Sequence, residues 1–408
     1  MIDTIKKQDC TGCKMCADAC SAGAISYRTD DEGFWYPQTD HKACIRCGRC
    51  VKLCPSLAFS AKAEGENSGR PAPDVFAAWN RDTDVRIRST SGGIYYALAE
   101  TMLEQGGCLA GCVYSRDFRG AYHIIGESRD DLEQIMGSKY FQSDTAGIYK
   151  KVQKKLQEGR SVLFCGAPCQ SAALKSYLGR EYNGLVTVDF ICRGINSPKA
   201  YRRYLEGCEK KYHSGAAQVH FKNKKDGWTS LGTYIRFENG RTYRRNRVND
   251  PWVNGFVRGN LFMRPCCSVC RYKNLPRVSD LSVGDFWGIK GSPEDMFQGI
   301  SLVMANTEKG AAYFERAGGK LHVQKRSFEE ALAGNLCILT PAPQGERRIE
   351  FFRRIDTEDF EPLVWELLRE TGMKTRLKLI KYRLALWKQA VGRCVGNMVQ
   401  RGNHGRMP

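Results

Sequence analysis

The sequence predicts an α+β protein in two main parts: a small cysteine-rich module, then a larger mixed α/β body that ends in a basic helix. Three observations predict this. Eight of the 19 cysteines lie between Cys10 and Cys54, and none follows until Cys108. From Val75 onward, strand-like apolar runs alternate with helical patterns. Between the two regions, Ser60–Asp74 (SAKAEGENSGRPAPD) is rich in Gly, Pro, Ala and charge with almost nothing to bury, which marks a linker. The expected organisation is therefore a module at 1–59, a linker at 60–74, a body at 75–307 and a C-terminal helical region at 308–408.

Length and composition bound the alternatives. A chain of 408 residues exceeds the ~250–300 that one hydrophobic core usually serves. At 42% apolar and 26% charged it is of ordinary globular composition. No window reaches the ~18–20 apolar residues of a membrane span, and MIDTIKKQDC lacks the apolar core of a signal peptide. The expectation is a cytoplasmic protein with reduced thiols. Nineteen cysteines then point to metal or cluster ligation.

Within the module, Cys10, Cys13, Cys16 and Cys20 give C-x2-C-x2-C-x3-C, and Cys44, Cys47, Cys50 and Cys54 repeat it before Pro55. This is the spacing of bacterial two-cluster ferredoxins, in which three close thiolates hold one 4Fe-4S cubane and the fourth reaches the other. Carried over, the sets are Cys10, Cys13, Cys16 and Cys54, and Cys44, Cys47, Cys50 and Cys20. Ser21 stands where the pattern has Pro. Zinc knuckles are the alternative, but they use CxxC pairs separated by a longer loop. Two such clusters make a one-electron relay with no open iron for substrate, so chemistry belongs to the rest of the chain.

In the body, Ser161–Phe164, Pro168–Leu178 and Leu185–Ile191 read as strand, helix and strand, a βαβ unit. Cys165 and Cys169 fall at the end of its first strand and Cys192 at the end of its second, the edge where α/β sheets bind ligands. Cys266, Cys267 and Cys270 add thiols at metal-site spacing, enough for a third cluster. A redox dithiol or a zinc half-site fits Cys267 and Cys270 as well. Cys108, Cys112, Cys208, Cys337 and Cys394 read as small buried apolar residues. Ser89-Thr90-Ser91-Gly92-Gly93 precedes a helical pattern (Ile94, Leu98, Met102), and Tyr234–Glu238, Asn239-Gly240 and Arg241–Arg244 read as a hairpin.

The stretches RSTSGGI, GSKYFQSD, FCGAPCQSAALKSYL, TVDFICRGINSPKAY, RPCCSVCRYKN and RVSDLSVGDFWGI resemble, in order, the β subunits of coenzyme F-420-reducing hydrogenases and dehydrogenases. The resemblance spans roughly 75–307 and leaves the last ~100 residues uncovered. It implies an FAD-bearing iron–sulfur oxidoreductase that exchanges electrons between clusters and a two-electron substrate such as a deazaflavin. It implies Cys169, Cys192, Cys267 and Cys270 as ligands of the third 4Fe-4S cluster, with Cys165 and Cys266 as bystanders. For the flavin, it implies Ser89, Ser91, Gly92, Gly93, Lys139 and Tyr140. Ser91-Gly92-Gly93 at a helix start would offer unobstructed N–H groups to a pyrophosphate, the plain alternative being a tight turn. Lys139 would place a cation beside a reduced flavin or a substrate phosphate, the catalytic role. A solvated surface charge is the plain alternative for that lysine. Expected partners are a ferredoxin or a catalytic subunit, and a small-molecule substrate. A non-catalytic electron-transfer subunit is the second reading.

The formal charge of +19 is uneven. Residues 222–277 carry 13 Lys/Arg against 3 Asp/Glu, and residues 374–408 carry nine against none. Leu377, Ile380, Leu384, Trp387, Val391 and Val395 recur at helical spacing over 374–399, so a basic amphipathic helix could touch an anionic membrane surface or simply pack. Basic residues interleaved with Trp228, Tyr234, Phe237, Tyr243 and Trp252 also suit nucleic acid, a zinc-dependent nucleic-acid binder being the third and weakest reading.

Overall fold

The computed structural model describes residues 1–57 and 72–369. Most of the expected linker and the expected basic helix lie outside the described residues.

The module is built on the antiparallel hairpin β1 (Ile25–Thr29) and β2 (Trp35–Thr39). The Asp30 carboxylate accepts from the N–H groups of Glu32 and Phe34, closing the turn. Phe34 behind it is fully buried. Each cysteine run carries the same backbone signature. The residues before and after the middle cysteine both have positive φ: Gly12 at 69° and Lys14 at 59°, Arg46 at 57° and Gly48 at 71°. Short helical turns follow, Met15–Asp18 and Arg49–Lys52. The repeat in sequence is thus a repeat in conformation.

The body is an eight-stranded mixed sheet in the order β13-β3-β12-β11-β7-β6-β4-β5. Its strands are β3 (Asp74–Asn80), β4 (Cys108–Tyr114), β5 (Ala121–Gly126), β6 (Val162–Gly166), β7 (Leu185–Phe190), β11 (Leu281–Asp285), β12 (Ser301–Ala305) and β13 (Leu321–Arg326). Strands β4, β6, β7 and β11 run parallel, and the flanking pairs are antiparallel. The expected βαβ unit is present: Val162 pairs with Leu185, and the helix between them spans Pro168–Leu178. Pro168 suits its first turn, and Gly179 at φ 67° ends it.

A second, three-stranded sheet holds β8 (Ala216–Asn223), β9 (Gly232–Phe237) and β10 (Thr242–Arg245). Gly240, at φ 80°, makes the predicted hairpin turn. Strand β13 lies past residue 307, so the body's sheet draws an edge strand from the region expected to be helical. Its middle residues are exposed, and three of the four (His322, Gln324 and Lys325) are polar, which leaves no apolar run to read.

Module and body share a polar seam. Asp18 accepts from the N–H groups of Gly147 and Tyr149, Lys14 pairs with Asp144 at 2.7 Å, and Ser176 donates to the Leu53 carbonyl.

Candidate iron–sulfur and cofactor sites

The inner module cysteines are brought together. Cys10, Cys13, Cys16 and Cys54 lie within electrostatic reach of one another, and burial pushes all four thiols up, Cys13 to about 12. This grouping crosses between the two runs, as the ferredoxin pattern requires. The positive-φ residues explain how: successive N–H groups in such turns form concavities that favour anionic groups, iron–sulfur clusters included. Cys20, Cys44, Cys47 and Cys50 are on the outer side. Cys47 is exposed, the other three are partly buried, and the Ala24 N–H donates to Cys20 Sγ at 3.3 Å. Cys50 neighbours Cys54, so the two sets adjoin.

A third group forms in the body. Cys169, at the start of its helix, lies within electrostatic reach of Cys192, Cys267 and Cys270, and of Cys13 across the seam. Burial raises Cys169, Cys192 (to about 12) and Cys270; for Cys267 the neighbouring Cys266 thiol is the leading cause and burial the second. The Ile195 N–H donates to Cys267 Sγ at 3.3 Å. These residues line a small, partly open cavity, with Arg193, Arg271 and Lys273 at its wall. Cys165 is set apart, closer to Cys112 and Lys139, and its thiol rises to about 12 through burial. Among the described residues no three His, Cys, Asp or Glu side chains are grouped for a single metal ion.

The expected flavin residues fall in one neighbourhood but are used differently from expectation. Gly93, at φ 84°, caps the helix Ile94–Glu104. Gly92 is pressed against strand ends: a Cβ there would lie 2.5 Å from the Ala78 carbonyl and 2.9 Å from the Ser301 nitrogen. Its N–H donates to Ser301 Oγ at 2.8 Å and its carbonyl accepts from Asn80. The expectation of an unobstructed N–H at Gly92 is therefore corrected. Ser91 donates to the Ile300 carbonyl, and Ser89 Oγ meets Met136 Sδ at 3.8 Å, joining this turn to the loop that carries Lys139.

Lys139 is corrected too. Its ammonium donates to the carbonyls of Gln134, Ile135 and Met136 at 2.8–3.1 Å, closing the helix Arg129–Ile135. It is neither a solvated surface charge nor, as placed, a free catalytic cation. Burial brings it down to about 8. Tyr140 packs against Phe221 and Phe256 with Lys222 over its ring.

Several residues that the sequence reading missed surround the same sheet edge. Lys224, buried, donates to the carbonyls of Arg86, Ser91 and Gln298, and burial lowers it to about 7. Lys222 pairs with Asp285, which also accepts from Trp228. Tyr95 Oη and the ring nitrogens of His123 are buried without a well-formed hydrogen bond among the described residues. Orphaned polar groups of this kind are the ones a polar ring system or ordered water satisfies. No spacing signal announces their roles, although Lys222, Lys224 and Trp228 sat in the stretch already marked as basic and aromatic and Asp285 in one of the resembling stretches.

Paired cysteine groups on a hairpin module, docked beside a third group at the edge of a mixed α/β sheet, define an iron–sulfur protein of the electron-transferring oxidoreductase class. A 4Fe-4S dicluster domain matches residues 9–75. The N-terminal and C-terminal domains of the coenzyme F-420 hydrogenase/dehydrogenase beta subunit match residues 75–150 and 159–330. The chain belongs to that family. It is 20% identical to one subunit of the F(420)H(2) dehydrogenase of Methanosarcina mazei, over 91% of this chain and 97% of that protein. The ferredoxin-type protein NapF of Escherichia coli is 36% identical over 50 residues, 12% of this chain and 30% of NapF. A chain of the F-420-reducing NiFe hydrogenase complex from Methanosarcina barkeri aligns with a TM-score of 0.44 at 17% identity, covering 74% of this chain and 94% of that one. Among the described residues no helix is long and apolar enough to cross a membrane.

Proposed function

We propose that this protein is an iron–sulfur flavoprotein that relays electrons from the module, through the third cysteine group, to FAD bound at the sheet edge, and there to a small two-electron substrate of deazaflavin type. The observation that carries the reading is the continuity of thiols: Cys50 adjoins Cys54, Cys54 groups with Cys13, and Cys13 adjoins Cys169. Cys10, Cys13, Cys16 and Cys54 would hold the inner 4Fe-4S cluster, Cys20, Cys44, Cys47 and Cys50 the outer one, and Cys169, Cys192, Cys267 and Cys270 a third. A flavin accepts electrons singly and passes them in pairs, which is the conversion such a relay needs.

The residues at the edge fit a flavin in chemistry. Tyr95 supplies a buried hydroxyl with no partner among the described residues, and Lys224 donates to the Ser91 carbonyl of the glycine turn. Lys139 and Lys222 keep positive charge nearby. In this reading Lys139 acts through position and field and does not touch the substrate.

The internal use of the Gly92 N–H and the Lys139 ammonium favours a second reading, an electron-transfer subunit whose catalytic partner holds the substrate. The name of the Methanosarcina mazei relative, which makes it one part of a dehydrogenase, is consistent with it. Anaerobic purification with iron and flavin quantitation separates the two. One FAD and about 12 Fe per chain support the flavoprotein. Iron without flavin supports the electron-transfer role.

A further inference from the structure

Arg264 is fully buried, and no Asp or Glu among the described residues pairs with its guanidinium. Its Nε donates to the Cys10 carbonyl at 2.8 Å, one terminal nitrogen to Gln142 Oε1 at 3.0 Å and the other to the Trp35 carbonyl at 3.0 Å. The guanidinium lies over the Tyr36 ring, 4.4 Å from its centroid. All of these partners are neutral. A guanidinium keeps its charge at any pH a protein survives, and a buried charge without a counter-ion is destabilising. Something anionic must offset that cost.

The groups that face it with negative charge, when ionised, are the thiols Cys10 on the module side and Cys266 and Cys267 on the body side, with the Tyr36 phenol. Arg264 is also wired into both loops through its backbone. Its N–H donates to the Ile195 carbonyl and its carbonyl accepts from the Cys267 N–H, while Ile195 in turn donates to Cys267 Sγ. On the other side the Cys10–Cys13 loop closes directly over it: a Cβ on Gly12 would collide with Gln142 and with the guanidinium. One fixed positive charge therefore sits between the inner module set and the third set.

We propose that Arg264 is the shared counter-ion of these two cysteine groups, a positioning residue that raises the reduction potentials of the inner and third clusters together while leaving the outer one alone. The inference rests on the cluster assignment above. Each electron added to a cubane adds one negative charge, and a nearby buried cation favours the more negative state, so net charge and local field set the potential. Cys20, Cys44, Cys47 and Cys50 of the outer set are not among the leading charged neighbours of the guanidinium. Arg264 would thereby make the seam an energetic step toward which electrons move from the exposed cluster.

The test is an anaerobic redox titration followed by EPR on the full chain, comparing wild type with Arg264→Gln, Arg264→Lys, Gln142→Glu and Gln142→Met. Arg264→Gln removes the charge, and Gln142→Glu sets a carboxylate against the guanidinium with the arginine still in place. Because Gln142 Nε2 also donates to the Thr11 and Gly12 carbonyls, Gln142→Met, which gives up those donations without adding charge, is its control. Arg264→Gln and Gln142→Glu are expected to shift two of the three midpoints to more negative values, with the third unmoved and iron content as in wild type. Arg264→Lys and Gln142→Met keep the charge and are expected to retain most of the wild-type values. Gln142→Glu keeps the proposal testable if Arg264→Gln does not fold. Unchanged midpoints in an iron-replete Gln142→Glu or Arg264→Gln overturn the counter-ion role while leaving the clusters standing. A shift in Arg264→Lys as large as in Arg264→Gln, or in Gln142→Met as large as in Gln142→Glu, assigns the effect to lost hydrogen bonds and also overturns it. Wild-type protein without cubane EPR signals sinks the cluster assignment itself, and the inference with it.

Discussion

Cys13 lies within electrostatic reach of Cys169 across the seam between module and body. The Cys13 loop is fixed there by its carbonyl, which accepts from Thr145 Oγ1 at 2.7 Å and Tyr149 Oη at 2.8 Å. A module that was merely tethered could deliver electrons only by collision. A seam of this kind holds two sets of thiols at constant separation.

The third set gives the first prediction. Cys267→Ser should lower iron from about 12 to about 8 per chain, with the module's spectrum retained. Iron quantitation on anaerobically purified protein checks it, and an unchanged content would remove the third cluster.

Lys139 gives the second. Because its ammonium closes a helix C-terminus, Lys139→Met should destabilise even flavin-free protein by about 1–2 kcal/mol. Urea unfolding of apo-flavin protein measures this. Equal midpoints would return Lys139 to a purely ligand-facing role.

His123 gives the third, a pH dependence. Burial holds its imidazole down to about 4, against 6.5 ordinarily. As pH falls below 6.5 the unfolded chain takes up this proton and the folded chain does not, so stability is lost between 6.5 and about 4. His123→Phe, which can keep the stack on Phe164, should reduce the loss between pH 7 and pH 5 by about 1–2 kcal/mol. Thermal melts at the two pH values compare them; parallel losses in wild type and variant would show that His123 does not couple.

Gly92 gives the fourth. Its close approach to Ala78 and Ser301 leaves no room for a methyl group, so Gly92→Ala should cost about 1–3 kcal/mol. If the turn also supports FAD, flavin occupancy should fall while iron content holds. Loss of stability with full flavin occupancy would confine Gly92 to packing.

Much was legible in the chain. The eight module cysteines are plain from their spacing, and the crossed grouping of Cys54 with Cys10, Cys13 and Cys16 is what the two-cluster ferredoxin pattern implies. The βαβ unit and its helix Pro168–Leu178 follow from apolar periodicity and from Pro and Gly at its ends. Strand β13 did not, because an edge strand with a polar, exposed face carries no apolar run. The roles of Gly92 and Lys139 did not follow either. A motif says which residue types stand together, and only the fold says whether their donors are already engaged.

Residue type and local spacing are enough for the thiol inventory and the two-part organisation, and the resemblance of six ordered stretches is enough for the family. Folding alone brings Cys13 within electrostatic reach of Cys169, engages Lys224 and Lys139 with main-chain carbonyls, and buries Arg264 between two cysteine groups. Those are contacts between residues far apart in the chain, and nothing local in the sequence encodes which donors they use up or which charges they leave unpaired.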